Sequence, residues 1–253
     1  MARPGQSLRL STAPTPETAL FLSETTEGLN EGASFLDRLA PAEAQRVRAL
    51  GRSLRIKAGE AVFAQGDPHQ GIFLIEEGRI RVFYSAPSGR EVTLAYWTPG
   101  HFIGGPEITG GGVHMWSGEA IEDSRVTILP TARLHMLITQ MPNFALCLIE
   151  GLVAKGKCYS AMAQMLGTRS VIERLAQFLL NYAELFGVPD GDALLIDRTI
   201  THDQIAAMVG STRQWVTMML KRFQKSGIVT SDARFIRIAR PDLLQAMLFK
   251  EPG

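Results

Sequence analysis

Residues 200–229, ITHDQIAAMVGSTRQWVTMMLKRFQKSGIV, constrain the fold of this chain more than any other stretch. Thr201 stands three residues ahead of Gln204, the spacing of a capping box. Ile205, Ala206 and Val209 then recur at helical spacing, and Gly210 offers the left-handed turn that ends a helix without a steric penalty. Ser211 and Gln214 repeat the capping-box spacing, and Val216, Met219, Leu220 and Phe223 mark one face of a second helix. Two short helices joined by a glycine-containing turn predict a helix-turn-helix, whose second helix suits the major groove of DNA. Between 211 and 240 the cations Arg213, Lys221, Arg222, Lys225, Arg234, Arg237 and Arg240 face one anion, Asp232, although the formal net charge of the chain is only +1. A face that meets phosphates needs that asymmetry. A solvated helical hairpin with scattered cations is the alternative.

Arg213 and Gln214 fall in the first turn of the second helix. Arginine pairs bidentately with guanine and glutamine with adenine. Arg213 could equally meet a phosphate, and Gln214 could instead cap the helix with Ser211. Thr217 and Met218 come one turn later, and the Met218 side chain suits a thymine methyl. Thr201, His202, Ser211, Thr212 and Lys221 are spaced for phosphates. Trp215 reads as packing within the domain.

With 253 residues, 45% hydrophobic and 20% charged, the chain has material for two domains of ordinary globular balance. No run of eighteen apolar residues occurs, so no membrane span is expected. The start lacks a continuous apolar core, so no secretory signal is expected and a cytoplasmic location is. Two cysteines, Cys147 and Cys158, are too few for a disulfide framework or for the four thiolates of an iron–sulfur cluster.

Residues 1–34 read as a flexible leader, with docking near Leu20 as the alternative. Helical spacing runs from Phe35 to Leu50, with Pro41 suited to a helix start. Short apolar runs punctuated by glycine then predict strands at 54–56, 61–63, 71–75, 79–84, 91–96 and 119–129, as in a sandwich or barrel. Pro142 opens a long helix to about Gly167 with two apolar seams. One seam holds Ala145, Leu148, Leu152, Lys155, Tyr159, Met162 and Leu166 in alternating three-four steps, the coiled-coil spacing. The other holds Cys147, Gly151, Ala154, Cys158, Ala161 and Met165. Packing on both the barrel and a partner helix is one reading, and burial within a single domain is the other. An amphipathic helix begins near Val171 and is broken by 187–191, 194–196 is a short strand, and 227–238 form a wing hairpin. The resulting organisation is a leader at 1–34, a β domain at 35–138, a long helix at 139–169 and a winged helix-turn-helix at 170–253.

In this order the motifs Lys57-Ala-Gly-Glu60, Gly66-Asp67, Leu74-Ile-Glu-Glu-Gly-Arg-Ile80, Pro99-Gly-His-Phe-Ile-Gly104 and the whole of 200–229 resemble the Crp/Fnr family of transcription regulators. The resemblance implies an α+β fold: an N-terminal β-roll of the cyclic-nucleotide-binding type, a dimerisation helix and a C-terminal winged helix-turn-helix. It implies a homodimer on a DNA palindrome, with RNA polymerase as a further partner and a small-molecule effector. The effector pocket it implies comprises Gly104, Gly105, Glu107, His114, Met115, Tyr159 and Ser160. Cyclic-nucleotide members carry a glutamate where Gly105 stands and an Arg-Ser pair where His114-Met115 align. A histidine replaces a bidentate arginine poorly, so the expected effector is not cyclic AMP. The oxygen-sensing members' N-terminal cysteine cluster has no counterpart, so no iron–sulfur cluster is expected. Histidines His69, His101, His114 and His135 carry no haem spacing, so haem is not expected either.

The leading expectation is a dimeric, ligand-responsive, sequence-specific DNA-binding regulator, answering a small-molecule or redox signal. The alternative is a barrel-based binding protein or enzyme, although no metal pair, nucleophile elbow or phosphate loop supports catalysis. Cys147 and Cys158 are eleven residues apart and so share a helix face. If that face were the dimer seam, they would form a thiol switch; as small apolar core residues they would not.

Overall fold

A computed structural model describes residues 18–31, 36–105, 111–196, 200–231 and 235–248. Glycine-ended β-runs build two antiparallel four-stranded sheets. Strands β1 (Arg52–Ile56), β2 (Ala61–Phe63), β3 (Gly71–Glu77), β4 (Ile80–Ser85), β5 (Glu91–Trp97), β6 (Phe102–Ile103), β7 (Ser117–Ala120) and β8 (Ser124–Pro130) pair in the orders β1-β8-β3-β6 and β2-β7-β4-β5. The single strand expected at 119–129 is two, because 121–123 turn the chain between β7 and β8.

Strand β3 shows why the first sheet is central. Side chains alternate across a strand. Ile72 and Leu74 enter one core with helices α1 (Pro41–Leu50) and α2 (Thr131–Gln140), while Phe73 and Ile75 enter the core between the sheets. Both faces are covered, and the strand reads as a continuous apolar run. Helix α1 starts at Pro41; Phe35, where the spacing placed the start, lies outside the described residues, and 36–39 are turn.

Helix α3 (Pro142–Thr168), 27 residues and about 40 Å long, passes three cores in turn. Phe144, Cys147 and Leu148 join the α1–α2 core, Cys158 joins the core between the sheets, and Met165 joins the core of the C-terminal domain. Gly151 sets the close crossing, since a Cβ there would lie 2.4 Å from Cε1 of Phe102. No single described helix is long and apolar enough to cross a membrane.

The C-terminal domain packs α4 (Val171–Phe186), α5 (His202–Val209), α6 (Arg213–Lys225) and α7 (Pro241–Leu248) on a sheet ordered β11-β12-β10-β9. Residues 187–190, expected to be only a break, form β9 (Gly187–Asp190), paired with β10 (Ala193–Ile196). Pro189 is tolerated because β9 is an edge strand. The wing consists of β11 (Val229–Ser231) and β12 (Ile236–Ile238); its tip, 232–234, lies outside the described residues.

The flexible-leader expectation does not hold over 18–31; residues 1–17 and 32–35 lie outside the described residues. Leu20 and Leu22, both nearly fully buried, share a core with Tyr96 of β5, Phe178 of α4 and Val216 of α6. Leu20 exchanges backbone hydrogen bonds of 3.0 and 2.8 Å with Tyr96. Asn181 donates to the Ser23 carbonyl at 2.9 Å, and Arg169 pairs with Glu24 at 2.8 Å. The segment is a strap that ties the β-roll to α3 and α4, and the apolar run 19–22 is the reason it docks.

Candidate nucleic-acid interface and effector cavity

The local chemistry of 200–229 makes the helix-turn-helix. Thr201 Oγ1 accepts from the Gln204 N–H at 3.2 Å, and Gln204 Oε1 accepts from the Thr201 N–H at 2.9 Å. Helix α5 ends at Gly210, with φ +65° and ψ +46°. The Ser211 N–H returns to the Ala206 carbonyl at 2.9 Å, so Ser211 completes the end of α5 instead of starting α6. The cap of α6 is Thr212, whose Oγ1 accepts from the Trp215 N–H at 3.2 Å. The expected Ser211–Gln214 box is therefore replaced, and Gln214 is exposed and free of a capping role.

Val216, Met219, Leu220 and Phe223 bury one face of α6. The opposite face carries Arg213, Gln214, Thr217, Met218, Lys221, Arg222 and Lys225 around one shallow groove. Met218 is 54% exposed, a large apolar side chain among cations. Arg213 pairs loosely with Asp203 at 3.4 Å between two exposed side chains, so little holds it from another anion. His202 Nδ1 and Thr217 Oγ1 are 2.8 Å apart, locking the start of α5 against the middle of α6. Trp215 packs half-buried against the domain core.

A second site lies between the β-roll and α3. A cavity of about 180 Å³ is lined by Val82, Trp97, Ile103, Gly104, Gly105 and Trp116 from the roll and by Leu152, Lys155, Gly156 and Tyr159 from α3. Gly104, Gly105 and Tyr159 line it as expected, whereas His114, Met115 and Ser160 do not. His114 is buried beside the cavity, stacked on Phe63 with centroids 4.4 Å apart, and its Nδ1–H donates to the Gly104 carbonyl at 2.8 Å. Burial first, and then His69, pushes its pKa down, so it serves as a neutral strut under the 104–105 turn. Met115 points to solvent, Ser160 lies on the exposed face of α3, and Glu107 lies outside the described residues.

Lys155 also lines the cavity, although the family resemblance does not single it out. Its ammonium lies 3.9 Å from the Trp97 ring centroid and 4.8 Å from that of Phe102. Burial pushes its pKa down to about 7, and among the described residues no carboxylate pairs with it. The signal in the sequence was a lysine within an otherwise apolar helical seam. His101, next to Trp97, is held neutral, with a pKa near 4, by burial and then by Lys155. His69 is buried against His114, and His135 is exposed.

The outer face of α3 also differs from expectation. The exposed stripe is Leu146, Ile149, Val153, Gly156, Ser160, Ala163 and Gly167, spaced three-four throughout, with the three aliphatic side chains 53–59% exposed. The seam drawn through Leu148, Leu152, Lys155 and Tyr159 is instead turned toward the β-roll, half-buried or buried, because those side chains fill its core and cavity. Cys147 and Cys158 also face inward, 3% and 0% exposed, and burial raises both thiols, Cys158 to about 12. The thiol-switch reading fails on this placement, since neither sulfur can meet its mate and neither forms thiolate near neutral pH. Mild peroxide followed by non-reducing electrophoresis is expected to give no cross-linked dimer, for the parent or for Cys147→Ser and Cys158→Ser.

Residues 53–141 match the family description "Cyclic nucleotide-binding domain", and residues 173–247 match "Crp-like helix-turn-helix domain". The chain is similar to the regulatory protein HlyX of Actinobacillus pleuropneumoniae, 28% identical over 76% of this chain and 80% of that protein. It is 27% identical, over 80% of this chain and 92% of that protein, to the CRP-like cAMP-activated global transcriptional regulator of Mycobacterium tuberculosis. Among solved structures it resembles the c-di-GMP responsive global regulator CLP of Xanthomonas campestris, with a TM-score of 0.72 at 17% identity over 79% of this chain and 99% of that one.

Proposed function

This chain belongs to the Crp/Fnr family of transcription regulators, and on that premise we propose that it works as a homodimer reading a DNA palindrome under the control of an effector other than cyclic AMP. The observation that carries the reading is the outer face of α6, where an exposed Gln214 and four cations stand opposite a fully apolar inner face. Arg213 and Gln214 read bases, Met218 touches a thymine methyl, and Thr201, Ser211, Thr212 and Lys221 meet phosphates. His202 and Thr217 act first on each other, fixing the angle between α5 and α6, and contact DNA from that fixed position.

Two protomers join along the Leu146–Ile149–Val153 stripe, whose small residues Gly156, Ser160 and Ala163 let the helices approach closely toward their C-terminal ends. This sets two recognition helices about one DNA turn apart, roughly 34–36 Å. The effector cavity shares α3 with the stripe: Lys155 and Tyr159 line the cavity, Ser160 lies on the exposed stripe, and Gly156 borders both. A ligand that favours one rotation of α3 thereby favours one spacing of the recognition helices.

Mobility shifts on specific and scrambled duplexes test the reading. Gln214→Ala and Arg213→Ala are each expected to weaken specific binding by about 1–3 kcal/mol and to relax preference within the half-site. Lys221→Ala should weaken both duplexes about equally and make the salt dependence shallower. Unchanged discrimination in both first-turn variants would remove the base-reading role.

A further inference from the structure

We propose that the cavity between the β-roll and α3 takes a small aromatic carboxylic acid, whose carboxylate pairs with Lys155 while its ring lies among Trp97, Trp116 and Tyr159. The inference rests on the regulator reading for its biological use, but the chemistry comes from the cavity itself. Most of its wall is apolar or aromatic: Val82, Ile103 and Leu152, with the rings of Trp97, Trp116 and Tyr159. Trp116 and Tyr159 are tilted against each other with centroids 5.7 Å apart, making one aromatic side. Into this wall the chain places a single cation. Lys155 lies over two aromatic rings and, among the described residues, has no carboxylate beside it.

A desolvated ammonium without a counterion destabilises the fold that holds it. The group is not there to hold the fold together; it suits an anion that arrives from outside. Aromatic faces hold the ammonium in place but leave its single positive charge and its N–H donors for one carboxylate. The size agrees. About 180 Å³ is below the roughly 300–1,000 Å³ of sites for drug-sized ligands, so one ring with a short acidic arm fits and a nucleotide does not. Burial keeps the free Lys155 near half-protonation at neutral pH. A bound carboxylate favours the charged form, so acid affinity is full below about pH 7 and declines as pH rises above it. Gly156, at the cavity wall and on the exposed stripe, puts the ligand one residue from the mate.

Calorimetry on the full-length protein, with tryptophan fluorescence as a second readout, tests the proposal with benzoate, phenylacetate, benzyl alcohol, acetate and cyclic AMP. At least one of the two aromatic acids is expected to bind, at least tenfold more tightly than benzyl alcohol or acetate, and more weakly at pH 8.5 than at pH 6.5. Lys155→Met is expected to lose at least tenfold in acid affinity without losing affinity for benzyl alcohol, and Lys155→Arg to retain acid binding. Without ligand, Lys155→Met should melt at a higher temperature than the parent, and benzoate or phenylacetate should raise the melting temperature of the parent alone. The proposal is overturned if neither acid binds, if neutral and acidic probes bind alike, if cyclic AMP binds more tightly than the acids, or if Lys155→Met melts lower and binds acid unchanged. Operator binding, measured in parallel with and without the acids, reports on the regulator reading separately. Its absence in both conditions would remove that reading and leave the ligand class to the calorimetry.

Discussion

Val153→Glu is expected to turn the protein into a monomer at micromolar concentration and to lower operator affinity by about 10²–10⁴-fold, the range by which two linked sites exceed one. Val153 is 53% exposed in the protomer, the third residue of a stripe that begins with Leu146 and Ile149. Burying each such side chain against a mate stabilises the dimer by roughly 1.5–3 kcal/mol. The glutamate removes that contribution twice per dimer and adds two carboxylates whose desolvation costs several kcal/mol each. The protomer itself should be untouched, because the side chain projects into solvent there. Analytical ultracentrifugation and thermal melting separate the two effects. Lys157→Glu, on the exposed side but off the stripe, is the control and should remain dimeric, though it breaks the ion pair with Glu31. A Val153→Glu protein that sediments as an intact dimer would place the interface elsewhere.

The helix-turn-helix was legible because its signals are local. A hydroxyl at the cap, glutamine three residues on and a glycine needing positive φ are chemistry within one or two turns, and Thr201, Gln204 and Gly210 occupy those roles. The misplacement of the second cap by one residue, to Ser211 from Thr212, reflects the same limit. Two hydroxyls stand side by side, and only the requirements of the end of α5 decide between them. The order of strands could be read from glycines and apolar runs, but not which residues of α3 face the roll. Its three-four spacing recurs on several faces, and Leu146, Ile149 and Val153 were passed over for a neighbouring row. The choice depends on Phe102 meeting Gly151 and on Trp97 meeting Lys155, contacts between elements distant in sequence. The cavity was half-legible for the same reason: the 104–105 turn and Tyr159 follow from alignment, whereas Lys155 gains meaning only from the rings placed around it.

Arg174→Met is expected to destabilise the protein by about 2–4 kcal/mol and to weaken operator binding beyond what the loss of folded protein explains. Arg174 is only 7% exposed at the start of α4. Its Nε–H donates to the Val209 carbonyl at 2.8 Å, and its Nη1–H to the Arg169 carbonyl at 2.8 Å and, more weakly, to the Leu166 carbonyl at 3.4 Å. These acceptors close the C-terminal ends of α5 and α3, where a helix presents partial negative charge, so one cation satisfies two helix ends at once. Methionine keeps much of the volume and leaves the carbonyls unpaired, at roughly 1–3 kcal/mol for each buried acceptor that water cannot reach. The clamp also joins the proposed dimer helix to the helix before the recognition turn. Arg90, from the end of the β4–β5 hairpin, donates to the Gly210 carbonyl on the other side of that turn. With Arg174 gone, the turn keeps its hydrogen bond to the β-roll but is joined to the end of α3 only by apolar packing such as that of Met165 and Leu166, so motion of α3 reaches the recognition helix less directly. Chemical denaturation gives the stability change, and mobility shifts at a temperature where both proteins are fully folded give the binding change. A variant that loses stability but binds its operator like the parent would show that Arg174 closes helix ends without aligning α6. One that loses neither would show that water replaces the guanidinium at all three carbonyls.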